Sequence, residues 1–426
     1  MHFKKLILAP LALSSLLWLS ACGGGSTTAS NGSGIGSGGT GSYTTGSISG
    51  FGSIIVNGVR YDNSSVGTVS LDGDSSTSLA LGMVVTVSGG ATSTSASGQT
   101  VAQADSVQVG YELLGPVASV DVPNSRLSVL GQTVKITADT FYDDDNTQGI
   151  NGLGASDCEL VKVYGFPADT TYTATRVECV ALSAFNALSG DNKTYRVRGK
   201  VSAANSASLT INNQAYSLGM GVSAPTVGSF VRLRLAPTGA SSPWTVVRVS
   251  GETRSFSERR EGRAEGLVAH YSVSGSSGSS GSFDINGVPA QFSSSTRREP
   301  TSLNLSNGVR VEVEGSIQNG VLVASKISLE TDSNEGPGDT EGTREIELHG
   351  TIRADSINTT LNTLKLRVYN GTDISIRWSD AQTQFDLGAA GSTEAGLGAV
   401  GNRVVEIKGV RDRNGSVVLA AKIKTE

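Results

Sequence analysis

Along much of the chain, apolar and polar residues alternate with a period of two. In "VRVEVEG", Val309, Val311 and Val313 fall on one side and Arg310, Glu312 and Glu314 on the other. That is the pattern of a strand with one buried face. Comparable segments are "GMVVTVSG", "CELVKVYG", "GSFVRLRL" and "GNRVVEIKG". Each is followed by another strand-like stretch: "VAQADSVQV", "ATRVECVAL", "WTVVRVSGE", "VLVASKISL" and "VLAAKIKTE". Clusters of Gly, Asn, Ser and Thr separate these segments, and long helical periods are absent. The predicted class is all-β.

A second pattern recurs upstream of each pair. In "SIIVNGVRYD", Asn57-Gly58 lies between two apolar runs, as a two-residue hairpin turn requires. Looser copies are "SVLGQTVKI" at Gly131, "TINNQAYSL" at Asn212-Asn213, "DINGVPAQF" at Asn286-Gly287 and "VYNGTDISI" at Asn370-Gly371. The period is about 80 residues. Before each hairpin runs a strand with a central glycine: Gly46, Gly115, Gly199, Gly266 and Gly350. Each unit thus reads as strand, hairpin pair, loop, strand, strand.

Five strands in that order match a small OB-like β-barrel, in which every strand has a partner on both sides. An open meander or sandwich is the alternative. The reading is a tandem array of about five such modules at 45–109, 110–182, 194–252, 262–330 and 344–426. A unit of this length can close its own core. Polar breaks at 183–193 and 253–261, and an acidic Gly- and Pro-containing linker at 331–343, suggest beads on a string.

The chain opens with Lys4 and Lys5 and a short apolar run from Leu6 to Leu19. That run is too short to span a membrane and has the layout of a secretory signal. Leu19-Ser20-Ala21-Cys22 resembles the lipobox of bacterial lipoproteins. The resemblance implies a signal peptide at 1–21, a lipid on Cys22, and an outer-membrane address favoured by Gly23. The alternative is a plain secretory signal with a chance cysteine. Residues 22–44 are Gly-, Ser- and Thr-rich, a tether composition. The predicted location is the bacterial cell envelope.

"GSISGFGSIIVNGVRYD" followed by "LGMVVTVSG" resembles the bacterial family called domain of unknown function 5666. The resemblance is closest in 45–109, fair in 110–182, and reduced to a skeleton beyond. The family occurs in exported bacterial proteins, often lipoproteins. It implies no activity and no catalytic residues.

Candidate chemistry is sparse. Cys158 and Cys179 fall on the fourth and fifth strands of the second unit, equidistant from a turn near Ala168-Asp169. They are expected to face each other as a disulfide in an oxidising compartment; two separate buried thiols are the alternative. Asp143, Asp144 and Asp145 form the densest acidic stretch. They are weak Ca²⁺ candidates, because the EF-type alternation is missing, and read more simply as a solvated loop. Asp72 and Asp74 read as a turn. His270 and His349 are the histidines left after the signal. They read as surface or half-buried strand residues, too few for a zinc or triad site. "GIGSGG" at 34–39 fits tether better than a nucleotide loop. No G-x-S-x-G elbow occurs, and no cofactor is implied.

Arg196, Arg198, Lys200, Arg232, Arg234, Arg403, Lys408, Arg411 and Arg413 recur on strand faces. They read as a solvated outer face, or alternatively as a sugar- or polyanion-binding one. The formal net charge is −5, which argues against nucleic acid as a partner. The functional expectation is a non-enzymatic, lipid-anchored array that binds or builds in the envelope through protein or glycan contacts. A glycan- or polyanion-binding module and an enzyme with an unrecognised site are the alternatives.

Overall fold

The computed structural model describes residues 41–426, apart from 73–77, 97, 144–148, 242, 252–258, 275–278, 331–344, 369–370 and 412–416. It is built from strands that close into small five-stranded rings. The first ring comprises β1 (Ser42–Phe51), β2 (Ile54–Val56), β3 (Val59–Asp62), β4 (Thr68–Ser70), β5 (Val84–Gly89), β6 (Ser93–Thr94) and β7 (Thr100–Val109). β1 pairs with β2, β2 with β3, and β3 runs parallel to β7. β7 pairs with β5, and β5 returns to β1. Every main strand therefore has two neighbours, which removes the exposed edges of so small a sheet.

The closure recurs in β8 (Leu113–Asp121), β9 (Arg126–Val129), β10 (Gln132–Lys135), β11 (Phe141–Tyr142), β12 (Leu160–Pro167) and β13 (Thr171–Val180). It recurs again in β14 (Tyr195–Ala204), β15 (Ser208–Ile211), β16 (Gln214–Leu218), β17 (Phe230–Leu235) and β18 (Thr245–Gly251). The next ring uses β19 (Arg259–Ser274), β20 (Ser280–Ile285), β21 (Val288–Phe292), β22 (Arg297–Glu299), β23 (Arg310–Gln318) and β24 (Val321–Leu329). β25 (Ile346–Ile352), β26 (Thr363–Val368), β27 (Asp373–Arg377), β28 (Gln384–Asp386), β29 (Val404–Arg411) and β30 (Val418–Thr425) repeat it.

The hairpin corners carry the left-handed backbone that the dipeptides suggested. φ is +50° at Asn57 and +68° at Gly58, +48° and +66° at Asn212 and Asn213, and +48° and +76° at Asn286 and Gly287. Leu130 and Gly131 do the same at +52° and +75°, so a leucine accepts this conformation where the sequence lacks an asparagine. Gly371 lies at +83°; Asn370 falls outside the described residues. β1 starts at Ser42, so the strand takes in Ser42, Tyr43 and Thr44 from the end of the expected tether.

The bead arrangement does not hold. The described residues belong to one compact unit. β1 pairs in parallel with β19, with Tyr43 opposite Gly262, and at its other end with β25, with Gly50 opposite Glu347. β8 pairs antiparallel with β14. One continuous core joins the rings opened by β1, β8, β14 and β25. A second lies in the β19 ring and takes in Tyr43 of β1. Val84, Phe166 and Leu267 close a third contact between three rings. The break at 183–193 holds the short helix α1 (Leu182–Ala187), whose Phe185 is buried and stacks on Tyr195 with ring centres 5.4 Å apart. Among the described residues no helix is long and apolar enough to cross a membrane.

Candidate functional site

The polar residues that the sequence offers for chemistry gather where rings meet. The opening strands explain why. At the central glycine the following hairpin folds back over its own first strand. A Cβ on Gly46 would lie 2.2 Å from Asn57 Oδ1, and one on Gly199 2.4 Å from Ile211 Cγ2. Alternation then turns the residue before the glycine the other way, out of its own ring and into a neighbour. Thr45, Leu114, Arg198, Glu265 and His349 hold this position, and all are buried.

Arg198 of β14 places Nη1 2.7 Å and 2.9 Å from the two carboxylate oxygens of Glu112, at the start of the β8 ring. It also donates to the backbone oxygen of Asn286 at 3.2 Å and lies 4.7 Å above the Phe230 ring. Asn286, the turn asparagine of the β19 ring, donates through Nδ2 to Thr45 Oγ1 at 2.9 Å. One turn thus ties three rings together. Glu265 of β19 accepts from Arg310 at 2.7 Å and from the Ser47 amide of β1 at 3.1 Å. Arg310 also faces Asp139 at 3.5 Å. Arg411 donates to the backbone oxygen of Ala138. Arg232 meets Asp72 at 3.0 Å. A cavity of only about 10 Å³, lined by Ser47, Asp139, Phe141, Thr175, Arg310 and Arg411 among others, lies beside Arg310 and Arg411. Arg310 there is matched by Glu265 and Asp139, and Arg411 by a backbone carbonyl. What the arrangement does chemically is hold ring against ring.

The expected solvated basic face is corrected accordingly. Arg196, Arg198 and Arg411 are buried. Lys200 pairs with Asp284 at 2.6 Å and Arg248 with Asp191 at 2.6 Å. Arg234 donates to the Asp191 backbone. Arg403 is exposed; Arg413 lies outside the described residues. Burial pushes the Glu312 carboxyl up to about 7, against the lowering effect of Arg263.

His349 is not a surface residue. It is 5% exposed, sits beneath Gly52 of the β1 ring, and lies between Glu347, 2.7 Å from Nε2, and Glu426 at Nδ1. Lys408 Nζ stands 3.1 Å from Glu347 and 3.4 Å from Glu406, so an internal ammonium already occupies the acidic group. Glu345 and Arg60 complete the charged surroundings. Burial alone would lower the imidazole pKa, but the hydrogen bond to Glu347 and the charge of Glu426 outweigh it, and the pKa is raised. The hydrogen bond from His349 holds Glu347 down at about 2. The histidine's contribution to stability is therefore complete below its ordinary pKa of about 6.5 and is lost as pH rises through the higher folded value. Urea midpoints measured from pH 5 to 9 should fall over the alkaline part of that range. The fall should flatten in His349→Gln, and an equally steep fall in that variant would assign it to other groups. His270 is partly exposed and lies 3.1 Å from Asp284.

Cys158 and Cys179 form the disulfide, with Cα atoms 4.9 Å apart. They are not directly opposed, as the turn symmetry suggested. Cys179 pairs with Val161, the register slips at a bulge by Gly165, and Cys158 lies in the turn before β12. The bridge closes a 21-residue separation, worth about 3 kcal/mol in the chain-entropy model. Replacing both cysteines by alanine should lower stability by about that amount and remove the effect of reductant on the melting curve; a curve that stays reductant-sensitive would refute the assignment. Asp143 accepts from the Cys179 amide at 2.6 Å, a structural use that competes with a calcium role. Cys22, Asp144 and Asp145 lie outside the described residues, as do Asp74 and the acidic linker.

Residues 115–178, 272–328 and 349–424 match the family profile described as "Domain of unknown function (DUF5666)". The first match covers most of the β8 ring, the others much of the β19 and β25 rings. None falls on 45–109, where the sequence resemblance reads as closest. No curated protein matches the chain.

Proposed function

We propose, for a chain three of whose regions match the DUF5666 profile, a non-enzymatic, lipid-anchored protein of the bacterial cell envelope. Its folded part would be five copies of one OB-like module, fused into a rigid body that serves as a binding or structural scaffold at the end of its tether. The strand order of the rings, with the third strand parallel to the fifth, supports the OB-like reading.

One observation carries the scaffold reading: the aromatic side chains, and the arginines and carboxylates at the ring seams, are committed inside. Among the described residues no Trp, Tyr or Phe is exposed; Phe230 and Tyr271 are half-buried and the others buried. Tyr271 stacks on Phe292 at 5.9 Å, and Phe230 lies beneath Arg198. Sugar and single-strand sites rely on accessible aromatic faces, so the glycan and polyanion alternative loses both its stacking surface and most of its arginines. The test is twofold. Cys22→Ser in the native host should move the protein from the membrane fraction to the soluble one; unchanged fractionation would remove the anchor. A glycan array probed at low salt with the soluble chain should stay blank, and a specific signal would restore the alternative.

A further inference from the structure

A short strand follows the third strand in the rings opened by β1, β8, β19 and β25. It lies parallel to the second half of the fifth strand. β4 pairs with Val107–Val109, β11 with Arg176 and Val177, β22 with Lys326–Ser328, and β28 with Lys422–Lys424. Three of these strands begin just after a threonine whose hydroxyl donates to the fifth strand: Thr140 to Ala174 O at 2.7 Å, Thr296 to Ala324 O at 2.8 Å, and Thr383 to Ala420 O at 2.6 Å.

The β14 ring departs from its sisters here. Its fourth and fifth strands keep the same register: Leu233 faces Val249 as Val313 faces Ile327, and both ladders slip at the next step. Arg248, Val249 and Ser250 therefore stand where Lys326, Ile327 and Ser328 stand in the β19 ring. No strand interrupts residues 219–229. The carbonyl of Val246, equivalent to the one the threonine uses elsewhere, accepts instead from the Gly219 amide at 2.9 Å. The chain then leaves the ring, with Met220 fully exposed and Val227 55% exposed. Among the described residues, β18 pairs along 248–250 with β17 alone. Every second residue of such a strand turns its N–H and C=O away from its antiparallel partner, so this edge presents a ladder with no strand on it.

We propose that the edge of β18 at Arg248–Ser250 is a docking site for a short, extended, acidic segment of another protein, added parallel to β18. The sister rings display the occupant that fits: two or three extended residues. The β22 strand supplies the charge rule, because its Glu299 lies 3.0 Å from Lys326, the counterpart of Arg248. Arg248 is exposed and pairs with Asp191, also exposed. Strand addition of this kind gains affinity from main-chain hydrogen bonds and specificity from side chains. The site names a partner class for the binding scaffold proposed above and rests on that reading. Failure of peptide binding would leave the anchor and scaffold tests untouched.

The probe is a synthetic peptide of this chain's own residues 381–388, which contains the β28 strand and its Asp386. It is titrated against the soluble full chain carrying Cys22→Ser, with hydrogen exchange as the readout. Bound peptide should slow exchange at 246–251. Arg248→Glu should weaken binding about fivefold without changing the melting curve, as befits an exposed charge pair. Asp191→Asn, which frees Arg248, should strengthen it. A peptide N-methylated at its Asp should not bind, since in the β28 ladder the amides of the residues flanking the Phe, Asp386 among them, face the fifth strand. No slowing at millimolar peptide, or equal binding by the N-methylated peptide, would overturn the proposal. So would protection that appears with protein concentration alone, since the occupant would then be a second copy of this chain.

Discussion

Arg198→Ala should lower the stability of the body by about 3–5 kcal/mol, the usual cost of removing one partner from a buried ion pair. The side chains of Arg198 and Glu112 are only 1% and 3% exposed. Deleting the guanidinium leaves the buried Glu112 carboxylate without the Nη1 donor that both its oxygens face. It also frees the Asn286 backbone oxygen and uncovers Phe230. The net worth of the intact pair is far smaller, because both charges lost their hydration on burial. The double variant Arg198→Met with Glu112→Leu should therefore recover most of the loss. Trp244 is buried in the same ring, 6.1 Å from Tyr216, so its fluorescence during urea unfolding reports the change directly. A loss below about 1 kcal/mol, typical of exposed pairs, would mean that the seam is solvated.

The second expected result concerns the rings as units. A fragment of residues 194–252, holding the β14 ring, should not fold alone, while the whole described body unfolds cooperatively. About sixty residues make a marginal core at best. In isolation this ring would also expose Arg198 and strip Gln132 from Tyr216, whose hydroxyl donates to Leu130 O of the neighbouring ring. Tyr172 OH of that neighbour donates in turn to Arg198 O at 2.6 Å. Circular dichroism and the dispersion of amide resonances would settle the matter. A well-dispersed spectrum with a melting point like that of the full chain would restore the bead arrangement.

Several features were legible before any coordinates. The alternating valines of 309–313 lie as expected, with Val311 and Val313 in the core. The hairpin dipeptides mark corners with positive φ, and the cysteine pair is bridged. The finer details depended on bulges, which a pattern of two cannot register. The hairpin closes at Asp169-Thr170, one residue later than the symmetry assumed, and slips once more beside Gly165, so Val161 and not Cys158 stands opposite Cys179. The short parallel strands were also missed, although a threonine recurring at 140, 296 and 383 was the available signal.

Asn57-Gly58 shows the larger limit. As a sequence it reads as an exposed turn, yet Asn57 is 6% exposed and donates to Thr44 Oγ1 and Thr45 O; its counterpart Asn286 is buried between rings. The amino-acid sequence by itself determined the strands, the repeat, the hairpin corners and the apolar lining of each ring, because those follow from local backbone preference and a period of two. Which polar faces meet water was decided only by the tertiary structure. An arginine or glutamate on the outer face, such as Arg198 or Glu265, reads the same whether solvent or a neighbouring ring lies beyond it. Only the docking of one ring on another makes it a buried ion pair.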